Sequence, residues 1–312
     1  MNEILEKIAT SEHIVVISHI NPDADSLGSA SAMYTFLLQN HKKVSWFCSN
    51  KNLNRKFLCI PWLEKVKDTF PKSADLAISL DCADKRRLGV EIECGLINID
   101  HHATNSLYGD LNLVEVESIS TTEVLYNFFK TNGFKVNKKM ATALYAGLLD
   151  DSEAFLSPMV DGTTFAIVQE LIENGADFKL CNRNIVKNVS LAALRLKAII
   201  FKNMSLECDA RVALFCVSDE EMRVSGAMPE DCENPLEESL NLGYVKVALL
   251  LRQNSDFTIK GSLRSNCGVD VGKIAKKIGG GGHASRAGFE LNDIVSLEEA
   301  KNKILILIKK DL

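Results

Sequence analysis

His13-Ile-Val-Val-Ile-Ser18 runs into His19-Ile-Asn-Pro-Asp23-Ala-Asp25, which runs into Ser26-Leu-Gly-Ser-Ala-Ser-Ala-Met-Tyr-Thr-Phe-Leu-Leu-Gln-Asn40. The first piece is a short, β-branched apolar run, the length and composition of a strand buried on both faces. The last has helical periodicity and ends near Asn40. Strand, polar turn and helix make one βα unit, and the pattern recurs outward from it. KVSWFCS (43–49), DLAISLD (75–81) and GLINID (95–100) are further apolar runs. STTEVLYNFFKTNG (120–133), NKKMATALYAGLLDD (137–151) and TTFAIVQELIENG (163–175) read as helices, the last with Gly175 at its stop. Apolar strands between helices predict an α/β fold with a doubly wound, mainly parallel sheet over residues 1–185.

LAALRLKAIIFKNMSLE (191–207) is a strong helix former, and 186–207 is read as a helical linker. The pattern then restarts. ARVALFCVS (210–218), YVKVALLLRQ (244–253), FTIKGSLRS (257–265) and AGFEL (287–291) read as strands, VDVGKIAKKIG (269–279) and SLEEAKNKILILIKK (296–310) as helices. This predicts a smaller C-terminal α/β domain over 208–312, with the active-site cleft between the two domains. Between Lys246 and Gly288 there are eight Lys/Arg against two acids, although the whole chain is at −5. An acidic domain beside a locally basic one suits divalent metal on one side and an anionic ligand on the other; a solvated basic helix is the plainer reading.

Composition closes off several classes. The 312 residues are 46% hydrophobic and 25% charged, a globular balance with core enough for about two domains. The N-terminus has acids where a signal peptide needs bases, and no apolar run approaches the roughly 20 residues of a membrane helix. Nine cysteines without a CxxC fit neither a disulfide framework nor a zinc ribbon and suit a reducing cytoplasm. A pI of about 5.8 argues against coating long nucleic acid or duplex. Cytoplasmic location and no membrane partner are therefore expected.

Four acidic or imidazole clusters fall at the ends of apolar segments: His19…Asp23-Ala-Asp25, Asp81, Asp100-His101-His102 and Asp150-Asp151. In an open parallel sheet, ligands gather outside the carboxyl ends of the strands, so these clusters should meet in one crevice. So many carboxylates together are unfavourable without cations, and divalent metal removes the difficulty. His nitrogen with Asp oxygen and no thiolate suits Mn²⁺ better than structural zinc. Singly each cluster is weak: Asp25 or Ser26 could simply cap a helix beginning near Leu27. Their recurrence in one structural context carries the reading.

HINPDADSLGS (19–29), SLDCAD (79–84), NIDHHATNS (98–106) and GLLDDSEAF (147–155) resemble, in order, the four motifs of the DHH phosphoesterase superfamily. SLRS (262–265) with GGGGHASRAGF (279–289) resembles the signature of the DHH-associated C-terminal domain. The size is most similar to the stand-alone nanoRNase and pAp (3′-phosphoadenosine-5′-phosphate) phosphatase branch. The resemblance implies that His19, Asp23 and Asp81 hold one Mn²⁺, and that Asp25, Asp81, His101 and Asp151 hold a second, Asp81 bridging. It implies that His102 faces the substrate phosphate, and that water activated between the two ions attacks phosphorus in line. Arg264, Gly280, Gly281, Gly282 and His283 would bind the phosphate of the substrate, the glycines by letting backbone N–H groups approach it. Short single-stranded oligonucleotides of about two to five residues, nucleotides such as pAp, and a possible homodimer partner complete the expectation.

Two departures from the pattern stand out. The fourth motif often continues Asp-Thr-Gly-Arg-Phe, whereas here Asp151 is followed by Ser152-Glu153-Ala154-Phe155, so an arginine is missing and Asp150 competes with Asp151 as ligand. Arg286 stands where the glycine motif often has alanine; it either supplies a cation to the substrate or lines the rim. The rival readings are a phosphodiesterase of cyclic-dinucleotide turnover (pApA, pGpG or cyclic di-AMP), which the residues barely separate from the first. A manganese pyrophosphatase shares the N-terminal motifs but not GGGGH. A catalytically dead nucleotide-binding module would lack a metal ligand, and none is lacking.

Overall fold

The computed structural model describes residues 3–50, 52–266, 268–292 and 296–312. The chain forms two compact units, Met1–Asn188 and Val189–Leu312.

The first unit is built on a six-stranded sheet: β1 His13–Ser18, β2 Lys43–Phe47, β3 Val66–Lys67, β4 Leu76–Leu80, β5 Gly95–Asp100 and β6 Leu111–Val114. The spatial order is β3-β2-β1-β4-β5-β6 and every pairing is parallel. β1 and β4 are buried along their whole length, the property their largely apolar sequences implied. The chain winds outward from β1 through β2 and β3, returns to β4 beside β1, and winds the other way. The reversal therefore lies between the carboxyl ends of β1 and β4, where an open α/β sheet forms its ligand crevice.

The helices of this unit are α1 Glu3–Thr10, α2 Ala24–Gln39, α3 Thr121–Thr131, α4 Lys138–Asp151, α5 Gly162–Glu173 and the short α6 Phe178–Cys181. Leu27, Met33, Phe36 and Leu37 of α2 join Phe129 of α3 and Leu144 and Leu148 of α4 in one core with Ile14, Ile78 and Ile99 of the sheet. The apolar face of α3 is thus core. A helix start near Leu27 is corrected: α2 begins at Ala24, capped by Asp23, whose side chain accepts from the Ser26 N–H at 2.9 Å. Neither Asp25 nor Ser26 is the cap.

The second unit carries a six-stranded mixed sheet in the order β11-β12-β10-β9-β8-β7. Its strands are β7 Ser205–Glu207, β8 Val212–Val217, β9 Val247–Gln253, β10 Ile259–Ser265, β11 Gly281–Gly282 and β12 Arg286–Leu291, with β8–β9 parallel and the other pairs antiparallel. Its helices are α7 Leu191–Lys202, α8 Asp219–Ser225, α9 Glu233–Ser239, α10 Val271–Lys276 and α11 Leu297–Asp311. Ile304 and Ile308 of α11 pack with Ile274 on one apolar cluster, while Leu196 and Ile200 of α7 join Phe215 and Leu250 in another. The segment read as a connector therefore contributes core to this unit. The described cysteines are all free thiols, buried or half-buried, and Cys267 lies outside the described residues. Among the described residues no helix is long and apolar enough to cross a membrane.

Candidate metal centre

His19 leaves the carboxyl end of β1 and Asp81 leaves that of β4, so the switch point brings together two residues 62 positions apart. His19 directs Nδ1 to the Ile20 carbonyl at 2.8 Å, which leaves Nε2 facing Asp81 Oδ2 at 3.4 Å and Asp23 Oδ2 at 3.8 Å. Asp23 splits its duties: Oδ1 caps α2, Oδ2 faces the imidazole. Asp81 has φ +57°, a left-handed backbone that only a minority of non-glycine residues adopt. Its N–H donates to the Ile99 carbonyl at 3.0 Å, so the neighbouring strand fixes the turn.

The other side of Asp81 meets a second group. His101 donates from Nδ1 to the Ser118 carbonyl at 3.2 Å and turns Nε2 to Asp151 Oδ2 at 3.3 Å and Asp81 Oδ1 at 3.7 Å. Both imidazoles thus spend Nδ1 on a backbone carbonyl and aim Nε2 at carboxylates, the arrangement that fixes a metal-binding tautomer. Asp25, fully buried, completes the group. It accepts from the N–H groups of Thr121 (2.7 Å) and Thr122 (3.0 Å) and from Thr122 Oγ1 (2.7 Å), so it is anchored on the N-terminus of α3. Asp150 is turned elsewhere, accepting from the Ala24 N–H at 3.0 Å, and Asp151 is the residue beside His101.

His19, Asp23 and Asp81 offer ligand atoms close enough to share one ion, and so do Asp25, His101 and Asp151. The expectation also placed Asp81 in the second group; its Oδ2 faces His19 at 3.4 Å and its Oδ1 faces His101 at 3.7 Å. Asp81, His101 and His102 also come within common reach. His102 is held through Nδ1 by Asp100 Oδ1 at 2.8 Å, and Asp100 in turn accepts from Asn105 and from the His101 N–H. Reasoning from sequence passed over Asp100, Thr121 and Thr122 as supports.

The titration of the cluster reflects its burial. Burial lifts Asp25 to about 8, with the Asp151 charge adding to it, and lifts Asp81 well above the carboxylate range with Asp25 adding. Asp150 and Asp151 are raised too, again chiefly by burial. Burial pushes His101 down, but Asp151 and Asp25 outweigh it and bring the imidazole up to about 9; burial lowers His19. Asp100 is lowered, since its bonds to His102 and Asn105 overcome burial. Hard oxygen donors with imidazole nitrogen and no thiolate fit a divalent cation such as Mn²⁺ or Mg²⁺. Cations would also relieve a cluster that otherwise has to hold protons to stay buried.

In the second unit, Arg264 and Arg286 are directly opposite on β10 and β12. Like charges in that position repel, and Glu237 of α9 answers both: its Oε1 accepts from Arg264 Nε at 3.0 Å and Arg286 Nη2 at 2.9 Å. Glu237 was not foreseen. The glycine run has a packing role beside any ligand role. Gly281 and Gly282 form β11 against β12; a Cβ on Gly280 would sit 2.3 Å from the Gly288 carbonyl oxygen and one on Gly282 2.4 Å from that of Arg286. Only Gly281 of these three has open space where a side chain would be, and His283 beside it is exposed. Glu153, Ala154 and Phe155, where the arginine is missing, take left-handed backbone at φ +52°, +58° and +67°.

Residues 13–148 match the DHH family, N-terminal domain, and residues 212–310 match the DHHA1 domain. The chain is 26% identical over 311 residues to the probable bifunctional oligoribonuclease and PAP phosphatase NrnA of Streptococcus mutans, covering 98% of each chain. It is 26% identical over 297 residues to the bifunctional oligoribonuclease and PAP phosphatase NrnA of Bacillus subtilis, covering 93% of this chain and 92% of the other. Among solved structures, an exopolyphosphatase-related protein from Bacteroides fragilis superposes with a TM-score of 0.88 at 24% identity, covering 99% of this chain and 95% of that one.

Proposed function

We propose, from the match of residues 13–148 to the DHH family N-terminal domain and of residues 212–310 to the DHHA1 domain, that the chain is a metal-dependent hydrolase of short oligonucleotides. The products are mononucleotides, and pAp is a second substrate, losing its 3′-phosphate to give AMP. The reading takes its chemistry from the relatives named for those two activities. The observation that carries it is Asp81, whose Oδ2 faces His19 and whose Oδ1 faces His101, so that one carboxylate serves both donor sets.

His19, Asp23 and Asp81 would hold one Mn²⁺, and Asp25, Asp81, His101 and Asp151 the other. Bound there, the cations supply an acidified water and offset the charge that develops on the phosphoryl oxygens. The protein's own work is placement. The carbonyls of Ile20 and Ser118 orient the two imidazoles, and α3 holds Asp25 through its first N–H groups. With Nδ1 engaged by Asp100, His102 keeps Nε2 for a phosphoryl oxygen of the substrate. In the second unit Arg264, Arg286, His283 and the backbone at Gly280, Gly281 and Gly282 would grip a terminal phosphate, Glu237 keeping the two guanidinium forks side by side. A cytoplasmic location accords with the substrates and with the free thiols.

The test is a Mn²⁺-supplemented turnover assay with 5′-phosphorylated RNA 2-mer, 5-mer and 24-mer, pAp, and cyclic di-AMP side by side. Fast cleavage of the 2-mer and 5-mer with an inert 24-mer is expected, with AMP released from pAp. Cleavage of the cyclic dinucleotide alone, or of the 24-mer as fast as the 2-mer, would overturn the assignment.

A further inference from the structure

Arg87 is a cation at the metal centre that, among the described residues, makes no ion pair with a carboxylate. It lies on the single 3₁₀ turn Lys85–Leu88 that follows β4, and its carbonyl accepts from the Ile20 N–H at 2.8 Å, which ties the turn to the loop carrying His19. Its guanidinium reaches the imidazole: Nη2 is 2.8 Å from His19 Nδ1 and 3.4 Å from Nε2. Neither nitrogen is a durable acceptor. Nδ1 is also 2.8 Å from the Ile20 carbonyl, and a nitrogen donating there has no lone pair for Arg87. Nε2 is the atom turned to Asp23 and Asp81.

The nearby acid is already taken. Asp84 is bound by the Arg86 guanidinium through Nε at 2.9 and 3.1 Å, and among the described residues Arg87 forms no ion pair with a carboxylate. An exposed guanidinium with five donors thus stands at the rim of the site, held by its backbone and without a carboxylate partner. Following Asp151 in the chain, Glu153 and Ala154 occupy the positions where an arginine was expected.

We propose that Arg87 binds a non-bridging oxygen of the substrate phosphate, supplying from the 85–88 turn the cation that the 153–154 segment lacks. The proposal rests on the phosphoesterase reading above, and binding measurements separate the two. Arg87→Ala and Arg87→Lys are compared with wild type for Mn²⁺ affinity by electron paramagnetic resonance, for AMP binding to the Mn²⁺-loaded protein by equilibrium dialysis, and for KM and kcat on the RNA 2-mer. Loss of one charge-assisted, forked contact predicts AMP binding and kcat/KM weakened about 10- to 100-fold in Arg87→Ala. Arg87→Lys should lie between, keeping the charge and losing the fork, and Mn²⁺ affinity should not change in either. AMP binding equal to wild type in Arg87→Ala overturns the proposal. So does a fall in Mn²⁺ affinity matching the fall in AMP binding, since Arg87 would then act only by positioning His19. A wild type that binds AMP but cleaves no substrate would instead overturn the phosphoesterase reading and leave the AMP comparison to judge Arg87.

Discussion

Replacing Gly147 with alanine should cost the protein its second cation. Gly147 is on the face of α4 that meets α2 and α3, and an added Cβ would lie 2.6 Å from Asp25 Oδ1, 2.5 Å from Thr122 Cγ2 and 2.8 Å from Thr122 Oγ1. Those are the partners of the 2.7 Å bond from Thr122 Oγ1 to Asp25. Neither can withdraw: Thr122 is in the first turn of α3, and Asp25 is also held by two backbone N–H groups. Overpacking of this kind costs about 1–3 kcal/mol, and breaking a hydrogen bond to a charged group about 1.5–3 kcal/mol more. Alanine returns about 1 kcal/mol as the better helix former. The net destabilisation is roughly 1.5–5 kcal/mol, about 3–20 °C in Tm for a unit of this size. Mn²⁺ titration followed by electron paramagnetic resonance should find one tight ion in place of two, with kcat down at least about 100-fold, as when a positioned electrostatic group is lost. Gly28→Ala is the control. Its Cβ would strike the Ala143 carbonyl oxygen at 2.5 Å, backbone rather than ligand, so it should lower Tm while keeping two ions. Identical Mn²⁺ titrations for the two variants would refute the argument that Gly147 exists to make room for Asp25.

Asp23→Ala should remove the ion shared with His19 and Asp81, reducing turnover below about 1% of wild type. Because Asp23 also caps α2, it should lose about 1 kcal/mol of stability, read from denaturant midpoints; near-full activity would sink the ligand assignment. The metal-free protein should lose stability as pH rises from about 4 to about 8. Asp25 is lifted from 3.8 to about 8, so across that interval the unfolded chain ionises while the fold keeps the proton. His101, raised from 6.5 to about 9, acts in the same direction from about pH 6.5 upward, its stabilisation draining away as pH passes 9. Mn²⁺ displaces those protons, so its affinity should climb over the same range. A flat Tm between pH 5 and 8 in chelator, or Mn²⁺ affinity independent of pH, would contradict this.

What could be read from sequence was whatever depended on local pattern. β1, β4 and β5 are mostly apolar, β-branched runs because both of their faces are buried, and a run of that kind announces itself. β3, two residues at the sheet edge, and the half-exposed β6 carry no such signal. The candidate ligands stood out in the sequence because a strand's carboxyl end is where charged groups are otherwise out of place. Their supports did not. Asp25 docks the N-terminus of α3, 96 residues away, whereas a capping rule looks only at the helix an aspartate precedes and so offered Asp25 or Ser26 for the cap that Asp23 makes. Glu237 likewise meets Arg264 across 27 residues, through the pairing of α9 with the sheet. The glycine run was misleading in part: a ligand-facing backbone and a tight β11–β12 pairing demand the same residue, and Gly280 and Gly282 satisfy the second demand.

The carboxylates of this centre are buried at a cost, and the fold meets only some of it. Helix N-termini converge on them: α2 offers Ala24 N–H to Asp150 and Ser26 N–H to Asp23, and α3 offers Thr121 and Thr122 N–H to Asp25. Those donors favour ionised oxygen, yet Asp25, Asp81 and Asp151 are still raised, so backbone dipoles alone do not balance the burial. The residual is left for cations to satisfy. A site balanced by the fold itself would gain little from binding metal, because the charge it offered would already be spent. A site with no backbone donors would scatter its carboxylates into water before metal arrived. Partial compensation keeps the ligands in place and still unsatisfied, and the same deficit makes the metal-free fold sensitive to pH. The strained backbone at Asp81 belongs to this balance. A residue whose two oxygens must face two donor sets cannot follow the strand it leaves, and the hydrogen bond to Ile99 holds it in a conformation that few side chains would choose.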